Sequence, residues 1–390
     1  MSRSQRPASA PPTVLVAHPS ADLYGSDRVL LESVDALVEQ GWGVVVTVPS
    51  DGPLVPHLRR RGAEVVLCRT PVLRRSALRP RGAVRLLADV VAGTVAGARL
   101  LRRHRPAVVY VNTVTIPWWF LLARAAGSPV LAHVHEAESS SPPAVRRVLA
   151  LPLLLATAVV ANSRFTRGVL LASVPRLARR TTVVHNAVPG PGAPAPAREQ
   201  VEGPVRVVCA GRLSPRKGAE VVLEAVAVLV ERGVDVRLEL VGDVFPGYEW
   251  FEQRLRERAA AAPLAGRVHL VGFRADVWPH LAGADVVVVP SLLDESFGNA
   301  AVEAVLAARP VVVSDLGGLR EAAGDYGCAR FVAPRDATAL ADGVQALLAD
   351  WPRVREVAVG DSATAAARHA APRYRAELVQ VVSGMLSRRA

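Results

Sequence analysis

Val205-Arg-Val-Val-Cys-Ala-Gly-Arg-Leu-Ser-Pro-Arg-Lys-Gly218 runs an apolar strand into a Gly-Arg turn, and an apolar helix from Ala219 to Val230 follows. A continuous apolar run of this kind reads as a strand buried on both faces of a parallel sheet. The stretch also holds the single lysine of the chain, Lys217, among 47 basic residues that are otherwise arginine. Arg212 and Lys217 stand at a strand-to-helix turn beside the free N–H groups of a helix start, and that combination of charge and donors suits a phosphate. The plain alternative is a lysine left on a solvated loop by chance, so the context along the rest of the chain has to decide.

Working outward, the strand–helix rhythm extends in both directions. Upstream, Thr13–His18 reads as a buried strand, then a loop, Pro19–Ser26, then a helix, Asp27–Gln40, with Val29, Leu30, Val34, Leu37 and Val38 on one face. Further strands are expected at 43–48, 64–68, 107–111, 130–134, 158–161 and 181–185, with helices at 53–61, 80–104, 116–126, 143–156 and 164–172. Downstream of Gly218 the expected strands are 236–241, 267–271, 285–289, 311–314 and 329–332, with helices at 249–260, 277–282, 299–308, 319–323 and 336–349. The last stretch, Ala363–Ser387, reads as a helix interrupted around Pro372. Residues 189–204 are rich in Pro and Gly, lack periodicity and read as a linker. The fold class is therefore α/β: two Rossmann-like, doubly wound parallel-sheet domains, 1–188 and 205–370, facing a central cleft. The C-terminal helix, 371–390, is expected to pack back on the N-terminal domain.

A length of 390 residues suits two domains, each with its own core, and 51% hydrophobic with 21% charged residues is a globular composition. Three cysteines, Cys68, Cys209 and Cys328, lie far apart without a CxxC pair, which argues against a disulfide framework or zinc site and for a reducing compartment. Met1–Pro12 is polar and proline-rich, unlike a signal peptide. The longest apolar run, Val148–Ala161, is 14 residues and too short to span a bilayer. A cytoplasmic protein is expected, peripheral on the inner face of the cell membrane. The net charge of +12 is uneven: residues 1–195 hold 24 Arg against 10 acidic residues, whereas the remainder is close to neutral. The N-terminal half is thus the one that meets an anionic partner.

Other uses of such domains lose weight on missing motifs. No Gly-x-Gly-x-x-Gly follows the first strand, where the chain reads His18-Pro-Ser-Ala-Asp-Leu-Tyr-Gly25, so a nicotinamide dinucleotide is disfavoured. Lys217 is followed by Gly218 and not by Ser or Thr, so no Walker loop is present. No Asp-x-Asp clamp for a metal occurs either. His133 and His135 share a strand face but lack a third ligand, and no metal is expected.

A second informative stretch is Val286-Val-Val-Val-Pro290-Ser-Leu-Leu-Asp-Glu295-Ser-Phe-Gly298-Asn-Ala-Ala-Val-Glu303. A buried strand ends at Pro290, and a helix begins about Asn299, where Gly298 and Asn299 offer N–H groups and a positive helix end to a phosphate. Glu295 on the loop and Glu303 one turn into the helix can face one cleft and accept paired hydroxyls of a sugar or ribose. A capping acid and a surface glutamate would be the ordinary reading of each alone.

The ordered set Gly211-Arg-Leu-Ser-Pro-Arg-Lys217-Gly, Glu295-Ser-Phe-Gly-x4-Glu303 and Gly317-Gly-Leu-Arg-Glu321 resembles the C-terminal half of the retaining GT-B glycosyltransferases of family 4. Tyr24-Gly25-Ser-Asp27-Arg28, His133-Val-His135-Glu136, Ala161-Asn-Ser163 and Val184-His185-Asn186-Ala-Val188 fall where that family has its N-terminal motifs. Tyr24 departs from the first of two glycines, and His185-Asn186-Ala187 from Pro-Asn-Gly. The resemblance implies a metal-independent hexosyltransferase that moves a sugar from a nucleoside-diphosphate sugar, with UDP or GDP, onto an acceptor with retention. It implies catalytic or diphosphate-gripping roles for His135, Arg212, Lys217 and Glu295. It further implies donor contacts from Gly25, Gly242, Phe273, Arg274, Phe297, Gly298, Asn299 and Glu303, with Glu303 on the ribose and the Phe273 turn flanking the base. No cofactor is implied beyond the nucleotide sugar itself.

In the same family the N-terminal domain takes the acceptor, so a glycan or lipid-linked acceptor, in cell-wall, exopolysaccharide or glycolipid assembly, would lie beside the basic half. Pro71–Pro106 carries Arg74, Arg75, Arg79, Arg81, Arg85, Arg99, Arg102, Arg103 and Arg105 around apolar residues, a pattern for an anionic membrane surface or simply for a solvated helix rim. Nucleic acid is not expected, since Trp118-Trp119-Phe120 forms one apolar helix face and no spaced aromatic platform joins the arginines. Two alternatives remain at this level: a nucleotide-sugar epimerase of the same fold, and a non-catalytic nucleotide-sugar-binding protein.

Overall fold

A computed structural model describes residues 11–73 and 80–387. In chain order the first part comprises β1 (Thr13–Ala17), α1 (Gly25–Glu39), β2 (Gly43–Val48), α2 (Leu54–Arg60), β3 (Glu64–Leu67), α3 (Pro80–His104) and β4 (Val108–Val111). It continues with α4 (Trp118–Ala125), β5 (Val130–Val134), α5 (Pro143–Ala150), β6 (Ala158–Ala161), α6 (Arg164–Ser173) and β7 (Thr181–Val183). The second part begins with β8 (Val205–Ala210), α7 (Ala219–Glu231), β9 (Val236–Val241), α8 (Glu249–Ala260), β10 (Val268–Gly272), α9 (Trp278–Gly283) and β11 (Val286–Val289). It ends with α10 (Asn299–Leu306), β12 (Val311–Ser314), α11 (Gly317–Ala323), β13 (Ala329–Val332), α12 (Ala337–Ala349), α13 (Trp351–Arg368) and α14 (Ala371–Ser387).

The Val/Ala/Leu runs pair in two sheets, β3-β2-β1-β4-β5-β6-β7 and β10-β9-β8-β11-β12-β13. Pairings are parallel throughout, with β1 in register against both neighbours: Leu15 faces Val45 of β2 and Val109 of β4. Central strands such as β4, β5, β11 and β12 are buried at every residue, which is why they carry no polar alternation. Helices cover both faces. The core on one side of the first sheet includes Leu30, Leu37 and Leu58, and on the other Phe120, Leu153 and Leu177.

The helix expected from Ala363 starts twelve residues earlier, at Trp351, and ends at Arg368. Its apolar positions are diluted by Arg353, Arg355, Glu356, Asp361 and Thr364, so the helical period is weak in sequence, whereas Pro352 sits in its first turn, where a missing N–H is harmless. The 143–156 helix gives way to a tighter 3-10 turn at Leu151–Leu155, where Pro152 cannot continue the ladder. Arg74, Arg75 and Arg79 lie outside the described residues.

The chain crosses between the two sheets twice. The first crossing is the segment after β7; the second is the short link between α13, which packs on α10, and α14, which packs on α1. The two crossings touch, with Val188 N–H donating to the His369 carbonyl at 3.1 Å. On α14, Tyr374 and Leu378 join the core of the first sheet, and Arg375 reaches Glu32 (2.7 Å) and Asp35 (3.1 Å) on α1.

Candidate functional site

Each sheet reverses its strand order once, between β1 and β4 and between β8 and β11. Chains leaving such a pair diverge and open a crevice at their carboxyl ends, the place where open α/β sheets take ligands. The loops after these four strands hold most of the residues singled out above, and the two crevices face each other.

After β8, a 3-10 turn, Pro215–Lys217, leads to Gly218 at φ 77°. A Cβ there would lie 2.0 Å from the carbonyl oxygen of Pro290, so a glycine lets the β8 loop close on the β11 loop. Leu292 N–H then donates to Arg216 O at 2.8 Å. That closure brings Lys217 Nζ to Glu295 Oε1 at 2.6 Å, and Ser291 Oγ donates to the same oxygen at 2.6 Å. Burial pushes the Glu295 carboxyl up, but Lys217, Ser291 and Arg216 more than offset it and hold it below the usual carboxylate range. Glu303, on the first turns of α10, has no such partner of full strength: burial raises its carboxyl despite the fields of Arg28 and Lys217.

Arg212 does not join that pair. Its guanidinium lies 3.6 Å from the centre of the Phe245 ring and 4.4 Å from that of Tyr24, a residue of the first sheet's loop. Tyr24 also meets Phe245 and Phe273 edge-on, at 5.4 and 6.0 Å between ring centres. The Arg212 Nε is buried without a partner among the described residues. The starts of α1 and α10 face each other, since a Cβ on Gly25 would sit 3.4 Å from Asn299 Nδ2. Asn186 Nδ2 donates to Asn299 Oδ1 at 2.9 Å.

His135, at the end of β5, places Nε2 3.0 Å from Asn112 Oδ1 and its ring 4.0 Å from that of His133. Burial pushes its imidazole down to about 3, so the ring is neutral. Glu136 turns away to Thr113 Oγ1 and the N–H groups of Val114 and His135, and burial raises its carboxyl.

The remaining expected positions have the following surroundings. The Phe297 side chain is 1% exposed and packs on His185 and His369, so only its backbone belongs to the loop. Gly242 is packed against the Gly211 carbonyl, 1.9 Å from where a Cβ would be, which accounts for that residue by backbone packing. Arg274 is exposed and donates to the adjacent Phe273 carbonyl at 3.1 Å. Gly298 precedes α10 at φ 126°.

Contacts between the two sides were not legible beforehand. Ser163 Oγ and Thr166 Oγ1 donate to Ser296 O at 2.5 and 3.1 Å. Glu321, of the Gly-Gly stretch, accepts the N–H groups of Arg164 and Phe165 at 2.7 and 2.8 Å and meets His185 Nε2 at 2.7 Å. It thereby caps the start of α6 from the opposite side of the cleft. His18, Asp27 and Asn112 lie buried beneath the first crevice; Asp27 stood in the Tyr24–Arg28 motif, whereas the advance signal for His18 and Asn112 was a place at the carboxyl ends of β1 and β4.

Two family models match the chain: glycosyl transferases group 1 over residues 204–350 and a glycosyl transferase 4-like domain over residues 24–187. A phosphatidyl-myo-inositol mannosyltransferase of Mycobacterium leprae (strain TN) is 38% identical over 152 residues, a match covering 38% of each chain, so the similarity spans well under half of that relative. A 2-deoxystreptamine glucosyltransferase of Streptomyces kanamyceticus is 29% identical over 331 residues, covering 76% of this chain and 83% of that one. Among solved structures, Anabaena Alr3699/HepE in complex with UDP-glucose superposes with a TM-score of 0.79 at 21% identity, over 96% of this chain and 100% of that one. The sucrose-phosphate synthase of Thermosynechococcus elongatus gives 0.76 at 20% identity, over 96% and 99%. The two models together take in every strand but β1, and the chain belongs to the family 4 glycosyltransferases of the GT-B fold.

Proposed function

We propose that the chain transfers a hexose from UDP- or GDP-sugar to a glycan or lipid-linked acceptor with retention of anomeric configuration. The observation that carries this reading is the convergence of Lys217, Glu295 and Glu303 with the facing starts of α1 and α10. Lys217 and Arg212 would take the diphosphate and Glu303 the ribose hydroxyls. The loop amides about Gly298 and Asn299 would take the distal phosphate, and Glu295 the sugar hydroxyls. In a dry cleft these preorganised charges stabilise the leaving group far more than water could. The bond from the anomeric carbon to the phosphate oxygen breaks and the glycosidic bond forms on the same face, and the acceptor's proton passes to the departing diphosphate. Lys217 is then free to exchange Glu295 for phosphate oxygens.

The acceptor side would be the first sheet's crevice. Its outer surface exposes Val145, Val148 and Leu151 around Arg146 and Arg147, with Leu121 and Arg124 on the adjoining α4. Apolar side chains set among arginines suit an anionic bilayer surface. No helix among the described residues is long and apolar enough to cross a membrane. The mannosyltransferase relative acts, by its name, on a phosphatidylinositol, which supports a lipid-linked acceptor.

The test is a thermal-shift panel of UDP, GDP and ADP sugars followed by a transfer assay with the best donor. Stabilisation by a UDP or GDP sugar with acceptor-dependent turnover is expected. Turnover of donor without acceptor would point to an epimerase, and binding without turnover to a non-catalytic protein.

A further inference from the structure

One cation of the site is held by no carboxylate. Lys217 lies on Glu295, whereas the Arg212 guanidinium makes no ion pair or hydrogen bond among the described residues, and its Nε is buried without a partner. Two rings hold it instead. Its Cζ is 3.6 Å from the centre of the Phe245 ring and 4.4 Å from that of Tyr24, and the rings stand at 83° to one another. A guanidinium at 3.6 Å from a ring centre lies on the ring's face, which fixes its plane. A second face at right angles meets one edge and fixes the rotation within that plane. The opposite edge keeps its N–H donors for an anion, whereas a carboxylate partner would have consumed them.

Tyr24 is the wall that comes from the other sheet. Arg212 stands after β8, Phe245 after β9, and Phe273, which meets Tyr24 edge-on at 6.0 Å, after β10. The backbone beneath the Tyr24 ring is fixed at the start of α1: its N–H donates to Asp27 Oδ2 at 2.9 Å and its carbonyl accepts Arg28 N–H at 2.9 Å. From the same turn Arg28 Nη2 donates to the Ala275 carbonyl at 2.7 Å, two residues past Phe273. A glycine in place of Tyr24, as the related motif has, would leave Arg212 with one wall only.

We infer that Tyr24 is a positioning residue: with Phe245 it forms an aromatic corner that orients Arg212 for the donor diphosphate without consuming its N–H donors. This rests on the proposed function and deepens it. An arginine oriented in advance loses little rotamer freedom when the phosphates arrive, so less of the binding energy goes into ordering it. Because Tyr24 belongs to the first sheet's loop and Arg212 to the second's, the corner is complete only while the two sides of the cleft meet.

The experiment has a part without donor and a part with it. Without donor, the Arg212 Nε–Hε resonance is read in nitrogen-15-labelled protein and assigned by its loss in Arg212→Lys. Ring currents should displace it upfield in the parent; Tyr24→Leu should remove part of that displacement and Tyr24→Phe should keep it. With donor, kcat/KM is measured for the best nucleotide sugar. Tyr24→Leu keeps an apolar side chain without a π face and should lose about tenfold, the scale of a desolvated cation–π contact. Tyr24→Phe should recover most of that loss, since the contact uses the ring and not the hydroxyl. In an Arg212→Ala background Tyr24→Leu should cost less than about twofold, because its effect passes through the guanidinium. An equal loss in both backgrounds, as a ring stacked on the base would give, overturns the inference. So does a Tyr24→Leu protein that turns over as well as the parent or better, as a ring that merely blocks the site would give. Tyr24→Gly carries the same comparisons should Tyr24→Leu not fold. An Arg212 resonance that is not displaced, or that Tyr24→Leu leaves in place, overturns the corner itself. That spectrum needs no donor, so a failure of nucleotide-sugar binding would sink the proposed function and still leave the corner decided.

Discussion

Lys217→Ala separates the two jobs that one ammonium performs. The substitution deletes one side of a 2.6 Å ion pair whose Glu295 side chain is 13% exposed and whose Lys217 side chain is 34% exposed. A dry pair broken on one side costs about 3–5 kcal/mol, because the remaining charge is uncompensated. Solvent at the lysine end screens this to about 2 kcal/mol. For a chain of 390 residues such a loss lowers the melting temperature by about 2–3 °C. Turnover falls for another reason: one donor removed from a developing anion costs about 100-fold or more. Adding Glu295→Gln removes the orphaned charge, so the double variant should regain about half or more of the lost stability, the two sites being directly coupled. Turnover should remain low. Calorimetry without ligand and initial rates with the best donor read the two quantities separately. A double variant that melts no higher than Lys217→Ala would refute the ion-pair accounting. A Lys217→Ala protein whose turnover falls only as far as its affinity for bare nucleoside diphosphate would refute the leaving-group role.

Three further outcomes follow from the geometry. The Glu303 carboxyl titrates above its ordinary 4.5, so affinity for a nucleoside diphosphate should drop on mild acidification as the carboxylate is lost; titration calorimetry across pH on Glu303→Gln should lack that slope, and an equal slope would remove Glu303 from the ribose. His369 is held down to about 4 by burial, from 6.5. The folded chain then refuses a proton that the unfolded chain accepts, so stability falls steadily as pH drops from 6.5 towards about 4 and levels off below it. Denaturant titrations of His369→Gln should show a shallower fall, and the same fall in both proteins would refute the assignment. A Cβ on Gly317 would lie 2.1 Å from a ring carbon of Phe165 across the cleft, so Gly317→Ala should enlarge the radius of gyration in solution scattering and Phe165→Ala in the same chain should restore it; an unchanged profile for Gly317→Ala contradicts the closed packing.

Much of the fold was legible because parallel strands buried on both faces are spelled as unbroken Val and Ala runs, as in Val286–Val289 and Val311–Val313. Gly218 and Gly298 stood in the quoted stretches, but only the fold shows that they mark backbone a side chain would obstruct. What sequence could not express was pairing. Lys217 and Glu295 were each assigned to ligand, and only the fold shows them neutralising one another 78 positions apart. His18, Asp27 and Asn112, joined beneath the first crevice, come from just after β1, from α1 and from just after β4, which meet where the strand order reverses. Arg212 was read as a free cation, yet the departure at Tyr24 gives it an aromatic partner. The early start of α13 was hidden by its mixed, nearly unpatterned surface.

The joined crossings at Val188 and His369 bear on how the cleft can move. Two covalent tethers at separate places would stiffen the molecule, and one alone would let the halves twist freely. Two tethers meeting at one point act instead as a single pivot: sliding is suppressed and swinging about that point is allowed. Displacement then grows with distance from the pivot, so contacts beside it, such as Asn186 on Asn299, should alter little. Contacts at the far lip, where Tyr24 covers Arg212 and Arg28 reaches the Ala275 carbonyl, should break first. The mouth that admits a donor would thus be guarded by Tyr24 on Arg212 and by Arg28 on the Ala275 carbonyl, while Asn186 and Asn299 would stay together.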